Sequence, residues 1–372
     1  MNRATQLFFR IIVVGIILAV TGCAGRGTPS REGALRPAQT PRLADDLSRQ
    51  TLVDAALRSR AALSRSGAPK QLQFGEQIVP TERYVQSLAE MVSAADHLPN
   101  DEDFFHYIES NFDFHEVYGD TDWGDVVITS YYEPVIRGSR VRTREFSQPL
   151  YKVPATDSDR CYTRREINSD GALEGLGLEL CYVDPVDAYL LQTQGSGVVA
   201  FEDGSELRLQ FAAKNGYPYQ GIGKALRKVM PDGDLRLPRI EAFLRSLTVP
   251  ELNEYLNQNP SYVYFAPSTV NALTSMQIPA TPGRTIAVDR SLFPKGAMGY
   301  LIFQKPHFSG GATDRPTFAP AGRFVFDQDV GSAIRGPGRI DLFWGRGDEA
   351  KQSAGVIHSH ARLYYLLPKS PP

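Results

Sequence analysis

Cysteine and histidine are scarce in this sequence, with three Cys and six His among 372 residues. No CxxC pair and no HxxxH unit occurs, so the spacings that are typical of zinc sites are missing. His358 and His360 would share one face of a strand, but no third ligand is evident nearby, and we interpret them as polar surface residues. We therefore predict that the protein uses no metal and no other cofactor.

An excess of charge of either sign is also absent, because 40 Lys and Arg oppose 42 Asp and Glu. The basic face or stripe of nucleic-acid-binding proteins is not expected, and we exclude nucleic acid as a partner. The composition is that of a globular protein, and the 32 Gly and 26 Pro predict many turns and short strands. The chain is long enough for two structural units, or for one large barrel with an insertion.

Hydrophobic runs are short, and the most distinct one extends from Ile11 to Val20. It is too short for a permanent transmembrane helix but suits the core of a signal peptide. The run ends in Val20-Thr21-Gly22-Cys23, which resembles a bacterial lipobox and implies cleavage before Cys23 and acylation of that cysteine. The alternative is a plain secretory signal with an incidental cysteine.

The residues after the lipobox predict where the protein is held. By resemblance to the lipoprotein sorting rule, Ala24 in place of Asp favours a lipid anchor in the outer membrane, facing the periplasm. Residues 1–22 are the predicted signal peptide, and residues 23–43, rich in small and polar residues, are the predicted flexible tether. In an oxidising periplasm we expect Cys161 and Cys181 to form a disulfide, with two buried thiols as the alternative.

Helical periodicity is confined to a few segments, whereas short β-type runs dominate after Val126. The predicted helices are Asp54–Leu63, a segment that opens at Pro80-Thr81, Asp101–Asn111, Ile222–Met230, Pro238–Leu247 and a segment that opens at Pro250. The predicted strands are 126–128, 197–201, 207–211, 261–265, 285–288, 298–303, 324–326 and 363–367. Strands at this spacing favour barrels or sandwiches. We predict a mainly β fold with peripheral helices.

Four segments, in one order along the chain, resemble the membrane-bound lytic murein transglycosylase A family. They are Thr129-Ser130-Tyr131-Tyr132-Glu133-Pro134; Asp184-Pro185-Val186-Asp187 with Gln192-Thr193-Gln194-Gly195-Ser196-Gly197; Lys214-Asn215-Gly216-Tyr217-Pro218-Tyr219 with Asn259-Pro260-Ser261-Tyr262; and a C-terminal segment with three aspartates. Any one of these segments alone would be a weak signal, but four in order are specific. The resemblance implies a double-psi β-barrel domain with a second, smaller inserted β domain.

The resemblance also implies domain bounds and a substrate groove. The barrel would form from residues 44–136, with helices, and from residues 263–368, the three-Asp or 3D domain. The inserted β domain would cover residues 137–262. The substrate would bind in a groove between the two domains, where ligand sites of two-domain proteins often lie.

Three aspartates in the C-terminal segment, Asp289, Asp329 and Asp341, match the three of the 3D domain. Ile340, Leu342 and other apolar neighbours of Asp341 would disfavour its ionised form, which raises a carboxyl pKa and leaves a proton to donate. By resemblance Asp341 is the single catalytic acid and Asp329 is its supporting partner. The alternative is that Asp341 and Asp329 only cap turns, as Asp beside Gly often does.

The family's reaction, which the resemblance implies, needs only one enzymatic carboxyl group. A lytic exotransglycosylase of this family, a carbon–oxygen lyase, cleaves the β-1,4 bond between N-acetylmuramic acid and N-acetylglucosamine in peptidoglycan. The 6-hydroxyl of the muramic acid closes on C1 and leaves a 1,6-anhydro end. The alternatives are a peptidoglycan-binding lipoprotein without activity and a two-carboxylate hydrolase that uses Asp329 and Asp341 with water.

Further residues are predicted to bind the glycan because they match family segments. They are Tyr132, Glu133, Asp187, Gln194, Gly195, Ser196, Gly197, Lys214, Asn215 and Tyr219. An ordinary turn is the alternative for Gln194 to Gly197, and packing in the core is the alternative for the tyrosines. The expected partners are peptidoglycan strands, the membrane through the lipid anchor only, and a cell-wall synthesis or division complex.

Overall fold

A computed structural model describes residues 29–230, 235–309, 315–331 and 333–370. A 3-10 turn at Glu32–Ala34 precedes the strands, which are β1 Leu35–Ala38, β2 Gln71–Phe74, β3 Gln77–Pro80, β4 Phe112–Val117, β5 Asp125–Glu133, β6 Val135–Ser139, β7 Gln148–Tyr151, β8 Glu179–Val183, β9 Ser196–Ala200, β10 Glu206–Lys214, β11 Val263–Pro267, β12 Thr285–Ala287, β13 Met298–His307, β14 Thr317–Asp329, β15 Arg339–Arg346 and β16 His358–Pro368. The helices are α1 Arg49–Leu63, α2 Thr81–His97, α3 Asp101–Asn111, α4 Asp157–Arg160, α5 Arg164–Asn168, α6 Pro185–Gln194, α7 Gly223–Leu226, α8 Leu237–Ser246, α9 Val249–Leu256 and α10 Gly347–Ala354.

Six strands close into a barrel in the order β16-β13-β14-β12-β15-β5, and the pairing of β5 with β16 completes the ring. Within the ring, β12 pairs with β14 and β15 pairs with β5 in parallel orientation, and the other strand pairs are antiparallel. Strands β4 and β1 extend the sheet outside the ring. The predicted mainly β fold, a barrel with peripheral helices, is confirmed.

Alternating side chains fill the barrel, as expected where one face of each strand is buried. Ile128 on β5, Ile286 on β12 and Leu342 on β15 are fully buried in the main core. Helix α2 packs on the outside of the barrel. Its predicted apolar stripe, with spacing i, i+4 and i+7, begins at Tyr84, and Tyr84, Leu88 and Met91 are fully buried. Burying each large apolar side chain of this kind contributes about 1.5–3 kcal/mol to folding.

The second domain is built on a six-stranded sheet in the order β11-β10-β9-β6-β8-β7. Leu191 of α6 packs on this sheet together with Val199 and Phe265. Strand β11 pairs with β10 and therefore belongs to the inserted domain. The predicted start of the second barrel segment at residue 263 was thus too early, because β11 completes the inserted sheet before the chain returns to the barrel.

The tether predicted over residues 23–43 extends too far, because its last part is folded. Leu35–Ala38 forms β1 and pairs antiparallel with β4, a long-range contact that composition does not reveal. The chain is then fixed by two buried arginines, since Arg284 binds the Asp45 carboxylate at 2.6 Å and Arg323 binds Asp46 at 2.6 and 2.8 Å. The predicted signal peptide and Cys23 lie outside the described residues.

The predicted disulfide between Cys161 and Cys181 is wrong, because both cysteines are free. Cys181 lies on β8 with its thiol buried in the core of the inserted domain, and this burial raises its pKa to about 12. Cys161 is exposed at the end of α4. Within the described ranges, no helix is both long and apolar enough to cross a membrane.

Candidate active site

Strand register brings the predicted catalytic residues into one row across the outside of the barrel. Asp341 on β15 is paired with Thr129 on β5 and with Ala287 on β12, and Ala287 is paired in turn with Asp329 on β14. The two carboxylates are thus separated by one strand, which sets their backbones about 10 Å apart. Ala287, which is only 3% exposed, lies between them on β12.

Asp341 lies deep among protein groups, yet the residue keeps some contact with solvent. Burial raises the pKa of Asp341 to about 7, and the charge of Asp329 acts in the same direction. The Thr129 hydroxyl, which donates a hydrogen bond to Oδ1 at 2.9 Å, and the Arg339 cation lower the pKa in opposition. Near neutral pH this carboxyl group can therefore both give and take a proton.

Asp329 is held by three donors. Its Oδ2 accepts a hydrogen bond from the Tyr131 hydroxyl at 2.8 Å, and its Oδ1 accepts from the backbone N–H of Ser275 and of Val330, each at 2.9 Å. Burial raises the pKa of Asp329, while these hydrogen bonds oppose that effect by favouring the charged form. The donors fix the carboxylate in place, so Asp329 is suited to act on its surroundings as a positioned charge.

Asp289, the first aspartate of the triplet, stands outside this row and orders a loop. Its Oδ1 accepts from the Ser291 N–H at 3.0 Å and hydroxyl at 2.7 Å, and its Oδ2 accepts from the Gly336 N–H at 2.9 Å. Burial would raise the pKa of Asp289, but these hydrogen bonds hold it below its usual value. Asp289 thus caps a turn and ties the loop before β15 to the end of β12.

Sequence reasoning missed a buried ion pair behind the row. Asp327, two residues before Asp329 on β14, is fully buried, and its carboxylate is bound by the Lys295 ammonium and by the Tyr365 hydroxyl at 2.8 Å. The Lys295 ammonium also donates to the main-chain oxygen of Asp329. The available signals were the Phe293-Pro294-Lys295-Gly296 segment and an Asp in a strand that is otherwise largely apolar.

The segment from Gln194 to Gly197 connects the two domains. Gln194 ends α6, and its Oε1 accepts a hydrogen bond from the Tyr132 N–H of β5 at 3.1 Å. Gly195 caps the helix in the left-handed conformation, with φ of 87°. Ser196 is half-buried at the start of β9, whereas Gly197 is buried where an added Cβ would overlap Leu191. The absence of a side chain at Gly197 therefore serves close packing, and the proposed glycan contact finds no support there.

Helix α6 itself was not predicted, although its ends carry clear signals. Asp184 caps the helix by accepting from the N–H groups of Val186 and Asp187 at 2.9 and 3.2 Å, and Pro185 occupies the first turn. The Asp187 carboxylate forms an ion pair with Arg245 at 2.5 Å. Burial raises the pKa of Asp187, and Arg245 opposes this. Asp187 thus lines a small cavity between the domains rather than the carboxylate row.

Three other predicted glycan-binding residues are buried. Tyr132, only 3% exposed, packs against Ala350 and Ala354 of α10. Glu133 accepts a hydrogen bond from the Ala272 N–H, and burial raises its pKa. Asn215 donates to the carbonyl groups of Tyr162 and Pro260, both at 2.8 Å, and accepts from the Tyr262 N–H at 2.9 Å.

These placements correct the predicted roles of Tyr132 and Asn215. Tyr132 alternates with Thr129 and Tyr131 along β5 and lies on the other face of the strand. Asn215 has its amide groups engaged within the protein, so its role is structural. Lys214 and Tyr219 remain partly exposed, and glycan binding by them stays a prediction. In the part of the chain that is described, no group of three or more His, Cys, Asp or Glu could hold a metal ion.

Both domains match known families. The profile described as "MltA specific insert domain" matches residues 127–266, and the profile described as "3D domain" matches residues 284–367. Membrane-bound lytic murein transglycosylase A of Escherichia coli (strain K12) is 32% identical over 252 residues, which cover 67% of this chain and 67% of that protein.

Solved structures share the fold. The crystal structure of E. coli MltA with bound chitohexaose superposes with a TM-score of 0.72 at 24% identity, covering 93% of this chain and 98% of that one. The lytic transglycosylase LtgG of Burkholderia pseudomallei is 31% identical, with a TM-score of 0.59 and coverage of 93% and 98%. With both domain profiles and a relative at this identity over two thirds of its length, the chain belongs to the membrane-bound lytic murein transglycosylase A family.

Proposed function

We propose that the protein is a peptidoglycan lytic transglycosylase that cleaves the β-1,4 bond between N-acetylmuramic acid and N-acetylglucosamine. The observation that carries this proposal is the state of Asp341, a carboxyl group that lies deep among protein groups, keeps some contact with solvent and has a pKa of about 7. Near neutral pH, a group of this pKa carries its proton in a large fraction of the protein molecules. Once it has lost the proton, it can act as a base.

The reaction follows from one carboxyl group and the hydroxyl of the substrate. Asp341 donates its proton to the glycosidic oxygen, the bond from C1 to that oxygen breaks, and positive charge develops at C1. The 6-hydroxyl of the muramic acid then attacks C1 and gives its proton to the Asp341 carboxylate, which restores the acid. No water is consumed, and the proximity of the hydroxyl to C1 contributes much of the rate.

The arrangement of Asp329 disfavours the two-carboxylate hydrolase. Its oxygens already accept hydrogen bonds from Tyr131, Ser275 and Val330, so they are poorly placed to activate water or to attack C1. A fixed negative charge in that position would instead stabilise the positive charge that develops on the sugar. A carboxyl group with this pKa that keeps contact with solvent argues against a binding protein without activity.

Digestion of isolated sacculi followed by mass spectrometry tests the function. The expected products carry 1,6-anhydromuramic acid ends and are lighter by one water than the products of hydrolysis. Products with reducing ends would replace this function with hydrolysis, and intact sacculi would favour the binding protein.

The location is a further proposal. Relatives are named membrane-bound, which is consistent with membrane association. The lipobox supports a lipid anchor on Cys23, with the enzyme held at the outer membrane and facing the periplasm. Replacing Cys23 with Ser should release a soluble periplasmic protein, while metabolic labelling that finds no acyl chain on the wild-type protein would contradict the anchor. Contact with a cell-wall synthesis or division complex stays a prediction.

A further inference from the structure

A cation stands next to the proposed catalytic acid without a protein partner. Arg339 precedes Asp341 by two positions on β15, so both side chains leave the same face of the strand, about 7 Å apart along it. The Arg339 side chain is half-buried, and its Nε is buried without a hydrogen-bond partner. Among the described residues, no carboxylate lies within ion-pair distance of this guanidinium, whereas Arg284 and Arg323 each bind one and Arg245 binds two.

A partly buried guanidinium without a carboxylate within ion-pair distance is costly, and a ligand that supplies an anion would remove that cost. The planar fork of Arg matches a carboxylate in particular. Peptidoglycan supplies carboxylates at this position, because each muramic acid carries a lactyl group on O3. That lactyl carboxyl is free on peptide-free strands and is joined to a stem peptide, with carboxylates of its own, on the others.

We propose that Arg339 is a specificity-determining residue that binds a carboxylate of the muramic acid unit whose C1 lies at Asp341. This inference rests on the proposed function. The O3 substituent and C1 belong to the same sugar ring. A muramic acid whose glycosidic bond lies at Asp341 would therefore place the carboxylate of its O3 substituent near Arg339, two residues earlier on the strand. Chitin oligosaccharides, which lack the lactyl group, cannot make this contact.

The contact would also affect the acid. The positive charge of Arg339, like the hydrogen bond from Thr129, lowers the pKa of Asp341. A substrate carboxylate paired with Arg339 offsets that positive charge and so favours the protonated acid in the complex. Carboxylated substrates thus help to hold Asp341 in the form that the first step needs, whereas uncharged oligosaccharides do not.

Equilibrium binding tests the proposal in the Asp341→Asn protein, which is not expected to consume its ligand. The ligands are peptide-bearing glycan oligomers from sacculi, the same oligomers after amidase treatment, and uncharged chitohexaose. Adding Arg339→Gln should weaken binding of a carboxylated ligand about 10-fold or more and leave chitohexaose binding unchanged. Arg339→Lys, which keeps the charge but loses the fork, should recover part of the loss. Arg83→Gln, the same charge change on the exposed face of α2, is the control and should have no effect.

Each outcome separates the possibilities. Weaker binding of only the amidase-treated oligomers identifies the lactyl carboxylate, and weaker binding of only the peptide-bearing ones identifies the stem peptide. Equal weakening of chitohexaose would overturn the proposal and give Arg339 a structural role, as would unchanged binding of both carboxylated ligands. If Asp341→Asn protein with Arg339 intact binds none of the three ligands, the proposed function itself fails, independently of Arg339.

Discussion

At the scale of single residues, the two carboxylates of the row have different environments and should respond differently to substitution. Asp341→Asn keeps the size of the side chain but removes the transferable proton, so activity on sacculi should fall by about 10²–10⁴-fold or more. Asp329→Asn should cost less, since an amide oxygen still accepts hydrogen bonds from its three donors. Rates of sacculus digestion measure both effects. A folded Asp341→Asn protein with near wild-type activity would falsify the assignment.

The raised pKa of Asp341 also predicts two dependences on pH. Activity should fall as the pH rises through about 7, because the acid loses its proton.

Since the pKa of Asp341 is higher in the folded than in the unfolded chain, its ionisation destabilises the fold, and that cost in folding free energy grows as the pH rises from about 4 to 7. Asp341→Asn should therefore be more stable than wild type at pH 8, with a smaller difference at pH 5. Thermal unfolding at both values decides this, and a less stable variant at pH 8 would contradict the burial of an acid.

At the scale of the elements, the Lys295–Asp327 pair inside the barrel should position Asp329. Lys295→Met removes the ammonium that binds both Asp327 and the main-chain oxygen of Asp329, and it leaves a buried carboxylate without its cation. Such a change typically costs about 3–5 kcal/mol of stability. If the pair positions Asp329, Lys295→Met should also lower activity. The double variant Lys295→Met, Asp327→Asn removes both charges, so it should recover stability while its activity remains as low as that of Lys295→Met. Recovery of full activity in the double variant would make the pair structural only.

The elements also show what could be predicted from the sequence and what could not. Helices α2 and α3 were predicted because each has one apolar stripe and polar remaining faces. Helix α6 was missed because most of its side chains are buried, so no stripe is visible, and only its caps mark it. Strand β1 falls within the predicted tether because its four residues gain their structure from pairing with β4, some 80 positions away. Likewise, Asp341 was found by its segment, whereas its bond to Thr129 depends on register across 212 positions.

At the scale of the whole molecule, the predicted substrate groove between the two domains would require that the inserted domain keep a fixed position on the barrel. Several contacts cross the junction, namely Gln194 Oε1 with the Tyr132 N–H, the Val198 N–H with the Pro134 oxygen at 2.8 Å, and the ion pairs Arg346–Glu206 at 2.9 Å and Lys351–Glu241 at 2.8 Å. The ion pairs retain exposed surface and should contribute little. The hydrogen bond from Tyr132 is different, because it starts on the strand that carries Thr129.

Gln194→Leu tests whether this junction matters for catalysis. The substitution keeps the approximate size of the side chain but leaves the Tyr132 N–H without its acceptor, at a cost of about 1–3 kcal/mol. Because the bond joins α6 to β5, we expect reduced kcat/KM on sacculi with only a small fall in the melting temperature of the barrel. Thr193→Ala on the same helix, where the side chain is exposed and bonds only to the Tyr189 oxygen, is the matched control and should leave activity unchanged. If Gln194→Leu lowers stability and activity no more than Thr193→Ala does, the position of the inserted domain must be held by its backbone and apolar contacts with the barrel.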